Sequence, residues 1–245
     1  MMTTMHATDL FARTIITIDG PAGTGKSSVG RALASRLGLD FLDTGAMYRA
    51  AAVLALENNI PLNDESAIAQ LVREADIRFN WHDDPPTLLA GSRALTARLR
   101  DQDVSQAVSP VAGLAAVRRE LVSRQRRIGE AHPRLVSEGR DQGSVVFPDA
   151  CVKFYMDASA AVRAQRRADQ IGETAPNAVA RIEAELIERD RRDANRAVGP
   201  LRCPSDAVRI DTDLLDQEGV VERLVEEAMR RVPALRELAH AAASA

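Results

Sequence analysis

The stretch Gly20-Pro21-Ala22-Gly23-Thr24-Gly25-Lys26-Ser27 follows an apolar run, Ile15–Ile18, and opens a segment of helical periodicity. It has the spacing G-x-x-x-x-G-K-[ST], and the chemistry of that spacing is the cradling of phosphates. Glycine at 20, 23 and 25 lets the backbone turn so that successive N–H groups, as far as Ser28, converge on an anion. A helix starting near Lys26 adds its positive end. Lys26 supplies a cation to the β- and γ-phosphates, and the Ser27 hydroxyl can ligate Mg2+. A glycine-rich turn that binds nothing is the alternative, and the strand–loop–helix context argues against it. The chain has no Asn-Lys-x-Asp segment to read guanine, so ATP rather than GTP is the expected nucleotide.

Three further segments carry groups suited to anions. Asp43-Thr44-Gly45-Ala46-Met47-Tyr48-Arg49 follows a second short apolar run. In an open α/β sheet, ligands bind beyond the carboxyl ends of strands, so this turn is expected at the same end as the phosphate loop. Thr44 reads as a helix cap, and Arg49 either grips a second phosphate bidentately or is a surface charge. Arg189, Asp193 and Arg196 fall at i, i+4 and i+7 and are expected on one helix face, with Arg191 and Arg192 outward. Such a run is ordinarily a solvated face, but γ-phosphoryl transfer needs several cations around the equatorial oxygens. The third, Ser137-Glu138-Gly139-Arg140-Asp141-Gln142-Gly143, ends a strand. Glu138 could hold a water of a Mg2+ shell and Arg140 a phosphate or base; the plain alternative is a turn with a local Arg140–Asp141 pair.

Elements must hold these groups in place. Ile15–Ile18, Phe41–Leu42, Leu135–Val136, Val152–Met156 and Val208–Ile210 read as buried parallel strands alternating with helical patterns, the signature of an α/β sheet covered on both faces. Helices are predicted at Ser27–Leu37 and Ala46–Leu56, and a third, capped by Asn63 or Asp64, runs to about Ala75. Ile77, Phe79 and Trp81 then alternate with polar residues before an Asp-Asp-Pro-Pro turn, which predicts an antiparallel hairpin inside an inserted subdomain at about 60–105. A long helix is predicted at about 107–129. The core is expected at 13–59 and 106–232, with a lid at 189–201, a disordered leader at 1–12 and a frayed tail at 233–245.

Composition sets the outer bounds. The chain has 245 residues, 45% hydrophobic and 27% charged, enough apolar material for a folded core. With 32 Lys+Arg against 35 Asp+Glu the net charge is −3, so no general nucleic-acid binder is expected. Cys151 and Cys203 show no metal-like spacing. No apolar run approaches the roughly 18 residues of a membrane helix, and the first residues lack a signal-peptide pattern. A soluble, cytoplasmic monomer that binds neither membrane nor nucleic acid is expected.

Taken together, IDGPAGTGKSS, LDTGAMYRA, VSEGRDQGSVVFPDA and RDRRDANRAVGPL resemble, in order and from about Ile15 to Val232, the bacterial cytidylate kinases. The resemblance implies a P-loop kinase fold, a five-stranded parallel sheet flanked by helices, with an inserted nucleoside-monophosphate subdomain and a short lid. It implies transfer of the γ-phosphoryl group of ATP to CMP or dCMP with Mg2+. It places Thr44 at the pyrimidine pocket, Arg49 on the CMP phosphate, and Ser109 and Arg118 at the base. Arg140 and Asp141 fall to base and sugar, Arg189 and Arg196 to phosphates, and Asp193 to a sugar or to orienting an arginine. Each has a plainer reading: Ser109 caps the long helix with Pro110 at its first position, and Arg118 is a solvated helix residue. The sequence departs from the family pattern at Pro110 and at Gln142, where an aliphatic residue is the norm. Kinases of AMP, UMP or shikimate, and a nucleotide-sensing ATPase, are the competing readings of the residues alone.

Overall fold

The computed structural model describes residues 13–83 and 85–243, so the expected leader at 1–12 lies outside the described residues. By their internal contacts two compact units form. Among the described residues, one holds 13–42, Ile128–Asn195 and 199–243; the other holds Asp43–Arg127 with Arg196–Val198.

The first unit is built on a five-stranded parallel sheet of β1 (Thr14–Asp19), β2 (Asp40–Asp43), β6 (Arg134–Glu138), β7 (Val152–Asp157) and β8 (Val208–Asp211), in the order β2-β6-β1-β7-β8. All five predicted strands lie within it. β1 is central and buried along its length, which is why its sequence reads as an unbroken apolar run rather than an alternating one. Val29, Leu33 and Leu37 of α1 (Lys26–Leu37) share a core with Ile16, Ile18, Val136, Phe154 and Met156. Val220, Val221 and Leu224 of α8 (Gln217–Arg231) join the same core. Leu235 of α9 (Leu235–Ala243) is fully buried there too, so a packed helix stands where the sequence suggested a frayed tail. Helices α6 (Ala160–Ile171) and α7 (Ala178–Ala194) pack on each other through Ala164, Ala168 and Ile182.

The second unit holds α2 (Thr44–Glu57), α3 (Glu65–Glu74) and an antiparallel sheet of β3 (Ile77–Asn80), β4 (Thr87–Ala90) and β5 (Arg93–Ala94). Asp64 caps α3, its carboxylate accepting from the Ala67 N–H at 3.0 Å. The unit is wider than the 60–105 insertion, because the largely buried α2 packs on α4 (Gln102–Gly113) within it. The single helix predicted at 107–129 is in fact two, α4 and α5 (Ala115–Ala131), with Leu114 extended between them. Pro110 lies inside α4, not at its start, and Gly113, a poor helix former, ends it.

Candidate active site

The phosphate loop joins β1 to α1. Gly20 has φ 149°, and a Cβ there would lie 2.0 Å from the Met156 carbonyl oxygen, so only glycine fits between the loop and β7. Gly25, at φ 83°, precedes α1 and offers no capping side chain. The first N–H groups of the helix are therefore left for a ligand. Within the loop Gly23, Gly25, Ser27 and Ser28 are exposed, whereas Pro21, Ala22, Thr24 and Lys26 are buried.

Lys26 donates from Nζ to the Pro21 carbonyl at 2.6 Å and to Thr24 Oγ1 at 3.2 Å. Its pKa is depressed to about 7, first by burial and then by the Arg140 and Arg189 guanidinium groups, against the pull of Glu138 and Asp19. Three cations thus share one neighbourhood. Ser27 Oγ donates to Glu138 Oε1 at 2.8 Å, so a hydroxyl and a carboxylate, both hard oxygen donors, meet beside the lysine. That donor set fits Mg2+.

Arg140 donates from Nε to Asp193 Oδ2 at 3.0 Å and from Nη1 to the Gly139 carbonyl at 3.2 Å. Burial opposes its charge, but the Asp193 and Glu138 carboxylates raise its pKa on balance. The plain alternative for this turn was a local pair of Arg140 with Asp141; Arg140 has a longer-range partner, Asp193, which reaches it from α7. Asp141 is buried and precedes a π-helical turn, Gln142–Val146. Gln142, where the resemblance led to an aliphatic residue being expected, is fully buried, and its Oε1 accepts from Ser137 Oγ at 2.9 Å, which gives the amide a partner.

Asp19, which the sequence did not single out, organises this turn. Its carboxylate accepts from the Gln142 and Gly143 N–H groups at 2.8 and 2.7 Å. Burial raises its pKa to about 7, the two hydrogen bonds and Lys26 opposing and Asp141 reinforcing the shift. The one available clue was its position, a carboxylate ending a buried strand just before the loop.

On α7 the arrangement differs from the expected single face. The helix ends at Ala194, so Arg189 and Asp193 are helical while Arg196 lies beyond it and groups with the second unit. Asn195 ends the helix and its amide bonds back to the Arg191 carbonyl at 2.7 Å. Arg191 and Arg192 are exposed and pair with Glu188, as outward residues should.

In the second unit Asp43, not Thr44, is the cap: its carboxylate accepts from the Ala46 N–H at 2.9 Å, and Thr44 is the buried first residue of α2. Arg49 donates to the Leu99 carbonyl and to Ser105 Oγ, both at 3.2 Å, so its head is oriented from two sides. Ser109 is buried in the interior of α4 and is no helix cap. Arg118, read as a possible solvated residue, is 1% exposed; it donates to the Ala112 carbonyl at 3.3 Å and lies 5.4 Å from the Tyr48 ring centroid. A buried guanidinium stacked on an aromatic ring is a specialised placement.

The family model for cytidylate kinase matches residues 16–230. The chain belongs to the cytidylate kinase family. It is 42% identical over 209 residues to a cytidylate kinase of Methylococcus capsulatus (strain ATCC 33009 / NCIMB 11132 / Bath), covering 85% of this chain and 93% of that one. It is 41% identical over 219 residues to a cytidylate kinase of Salmonella newport (strain SL254), covering 89% and 96%. A bifunctional pantoate ligase/cytidylate kinase of Synechococcus sp. (strain JA-3-3Ab) is 44% identical over 217 residues, 87% of this chain; the chain spans 40% of the length of that relative. The five-stranded parallel sheet with its phosphate loop at the end of the central strand is the P-loop kinase fold of this cytidylate kinase family member. Among the described residues no helix is long and apolar enough to cross a membrane, and no three or more His, Cys, Asp or Glu residues gather into a metal-holding cluster.

Proposed function

We propose that the protein transfers the γ-phosphoryl group of ATP to CMP or dCMP, as a cytoplasmic monomer. The observation that carries this reading is the convergence on the phosphate loop of Lys26, Arg140 and Arg189 with the Ser27–Glu138 pair. Cations gathered at a glycine-rich loop suit the charge that spreads over the oxygens of a transferring phosphoryl group. Family membership supplies the acceptor class.

ATP binds with its phosphates in the cradle of Gly20–Ser28. Ser27 and Glu138 would hold Mg2+, directly or through its waters, and the ion would neutralise β- and γ-oxygens. A phosphate oxygen of CMP bonds to the γ-phosphorus as the bond to the β,γ-bridging oxygen breaks, and ADP leaves with that electron pair. No side chain need act as base, because the attacking oxygen is already anionic near neutral pH. Arg49 holds the CMP phosphate; Thr44, Ser109 and Arg118 serve the base, and Arg140 and Asp141 the base and sugar. Arg189 and Arg196 hold charge on the transferring group, and Asp193 orients Arg140.

The test is ADP formation from ATP and Mg2+ with CMP, dCMP, UMP, AMP, GMP or no acceptor. Turnover with CMP and dCMP well above the other tubes is expected. Equal ADP release in every tube, the blank included, overturns the reading in favour of a hydrolase, and preference for AMP or GMP overturns the acceptor.

A further inference from the structure

The phosphate loop is gripped at Ala22 by two residues that the reaction above does not use. Asp190 of α7 accepts the Ala22 N–H through Oδ1 at 3.1 Å. Its other oxygen accepts from Arg163 Nη1 of α6 at 2.6 Å. The same Arg163 nitrogen donates to the Ala22 carbonyl at 2.8 Å, while Nε donates to the Ala158 carbonyl at 3.0 Å. Both polar backbone groups of one loop residue are therefore held by one ion pair, in a closed ring. Arg163 is 5% exposed, and the side chain of Asp190 is 19% exposed. The loop tip also rests on these helices: a Cβ on Gly23 would lie 3.3 Å from the Arg163 Cβ and 3.7 Å from Leu186 of α7.

We infer that Asp190 and Arg163 are positioning residues that set the Ala22 peptide, and with it the phosphate-binding conformation of the loop, from the α6–α7 pair. A glycine-rich loop has many accessible backbone states, and fixing both polar groups of its third residue removes a large share of them. The same turn of α7 carries Arg189, which bears on Lys26, and Asp193, which holds Arg140. Asp190 thus keys the register of the arginine-bearing turn to the loop it serves. The charged pair is also well shielded from water, so its hydrogen bonds are of the stronger, charge-assisted kind. The residues act through the loop, so nucleotide affinity is what their loss should change.

This inference rests on the loop being the ATP site, and the experiment keeps the two readings apart. ADP binding is measured by calorimetry without acceptor, alongside CMP binding, for wild type, Asp190→Ala, Asp190→Asn, Arg163→Met and the double variant Asp190→Ala with Arg163→Met. Asp190→Ala should weaken ADP about tenfold or more, the order set by one hydrogen bond to a charged group, and leave CMP within about twofold. Asp190→Asn keeps an acceptor for Ala22 but loses the ion pair; it should be intermediate and partly rescue the alanine loss. Arg163→Met combined with Asp190→Ala should lose less than the sum of the two, since they act as one unit. A folded Asp190→Ala or Asp190→Asn with wild-type ADP affinity, even with a lowered Tm, overturns the inference. So does an equal loss of ADP and CMP affinity. A wild type that binds ADP tightly yet shows no CMP-dependent turnover overturns the proposed function and leaves the loop inference standing.

Discussion

Lys26 is placed where a cation is least at ease. Buried beside two arginines, its pKa falls from 10.5 to about 7, so the folded chain without nucleotide carries a strain that an anion relieves. The sign follows from proton linkage: between about pH 7 and 10.5 the unfolded chain binds the lysine proton and the folded chain does not, so this group's contribution to stability rises with pH in that window. Lys26→Met should therefore stabilise the nucleotide-free protein by roughly 1–3 kcal/mol at pH 7, relief of desolvation outweighing the hydrogen bonds lost at Pro21 and Thr24. Urea denaturation across pH should show the advantage shrinking towards pH 10, while turnover is abolished. A variant less stable than wild type at pH 7 would refute the strain. Arg189 makes the complementary case. Removing it should leave folding intact and lower kcat by on the order of 100-fold or more, as single donors in electrostatic sites do; steady-state kinetics of Arg189→Ala at saturating ATP and CMP reads this directly.

At the scale of elements, what could be read in the sequence depended on how local its cause is. The inner strands β6, β1 and β7 were legible because parallel strands buried on both faces are short, largely apolar runs, whereas the edge strand β8 alternates, with Arg209 and Asp211 exposed. The phosphate loop was legible because loop, strand and helix are contiguous. Asp19, Arg163 and Asp190 were not, since their partners lie 123, 141 and 168 positions away along the chain. The break at Leu114 was missed because Ser-Pro reads locally as a helix start, and the register that places both inside α4 comes from packing. Pro110 is exposed there and can donate no N–H. Pro110→Ala should stabilise the chain by about 1–3 kcal/mol in thermal or urea unfolding, the penalty of an interior proline less its effect on the unfolded chain. Helix α9 was misread as a tail because its Ala-rich end resembles fraying, yet Leu235 is buried against α1, α8 and the sheet. Leu235→Ala should cost about 2–5 kcal/mol in the same assay. A loss below about 0.5 kcal/mol, the range of surface substitutions, would mean that the helix does not dock in solution.

For the whole molecule the question is whether one copy suffices. The exposed large apolar residues among those described are Ile171, Ile187, Val198, Leu214 and Leu215. Apart from the adjacent last two they fall at separate places along the chain, and apolar residues scattered in this way are ordinary. The outward faces of α7 and α8 are instead laced with ion pairs, Arg181–Glu185, Arg191–Glu188 and Arg230–Glu227. Such pairs add little to stability in water, but burying them in an interface carries a desolvation penalty of several kcal/mol per ion. A stable dimer needs about 800 Å² from each partner, an area these charged faces cannot supply without that penalty. The chain should therefore sediment as a single copy at micromolar concentration, with or without ADP and CMP. Sedimentation velocity over a wide concentration range decides the matter: a boundary moving towards twice the mass would show that the ion-pair-laced faces do not keep the surface solvated.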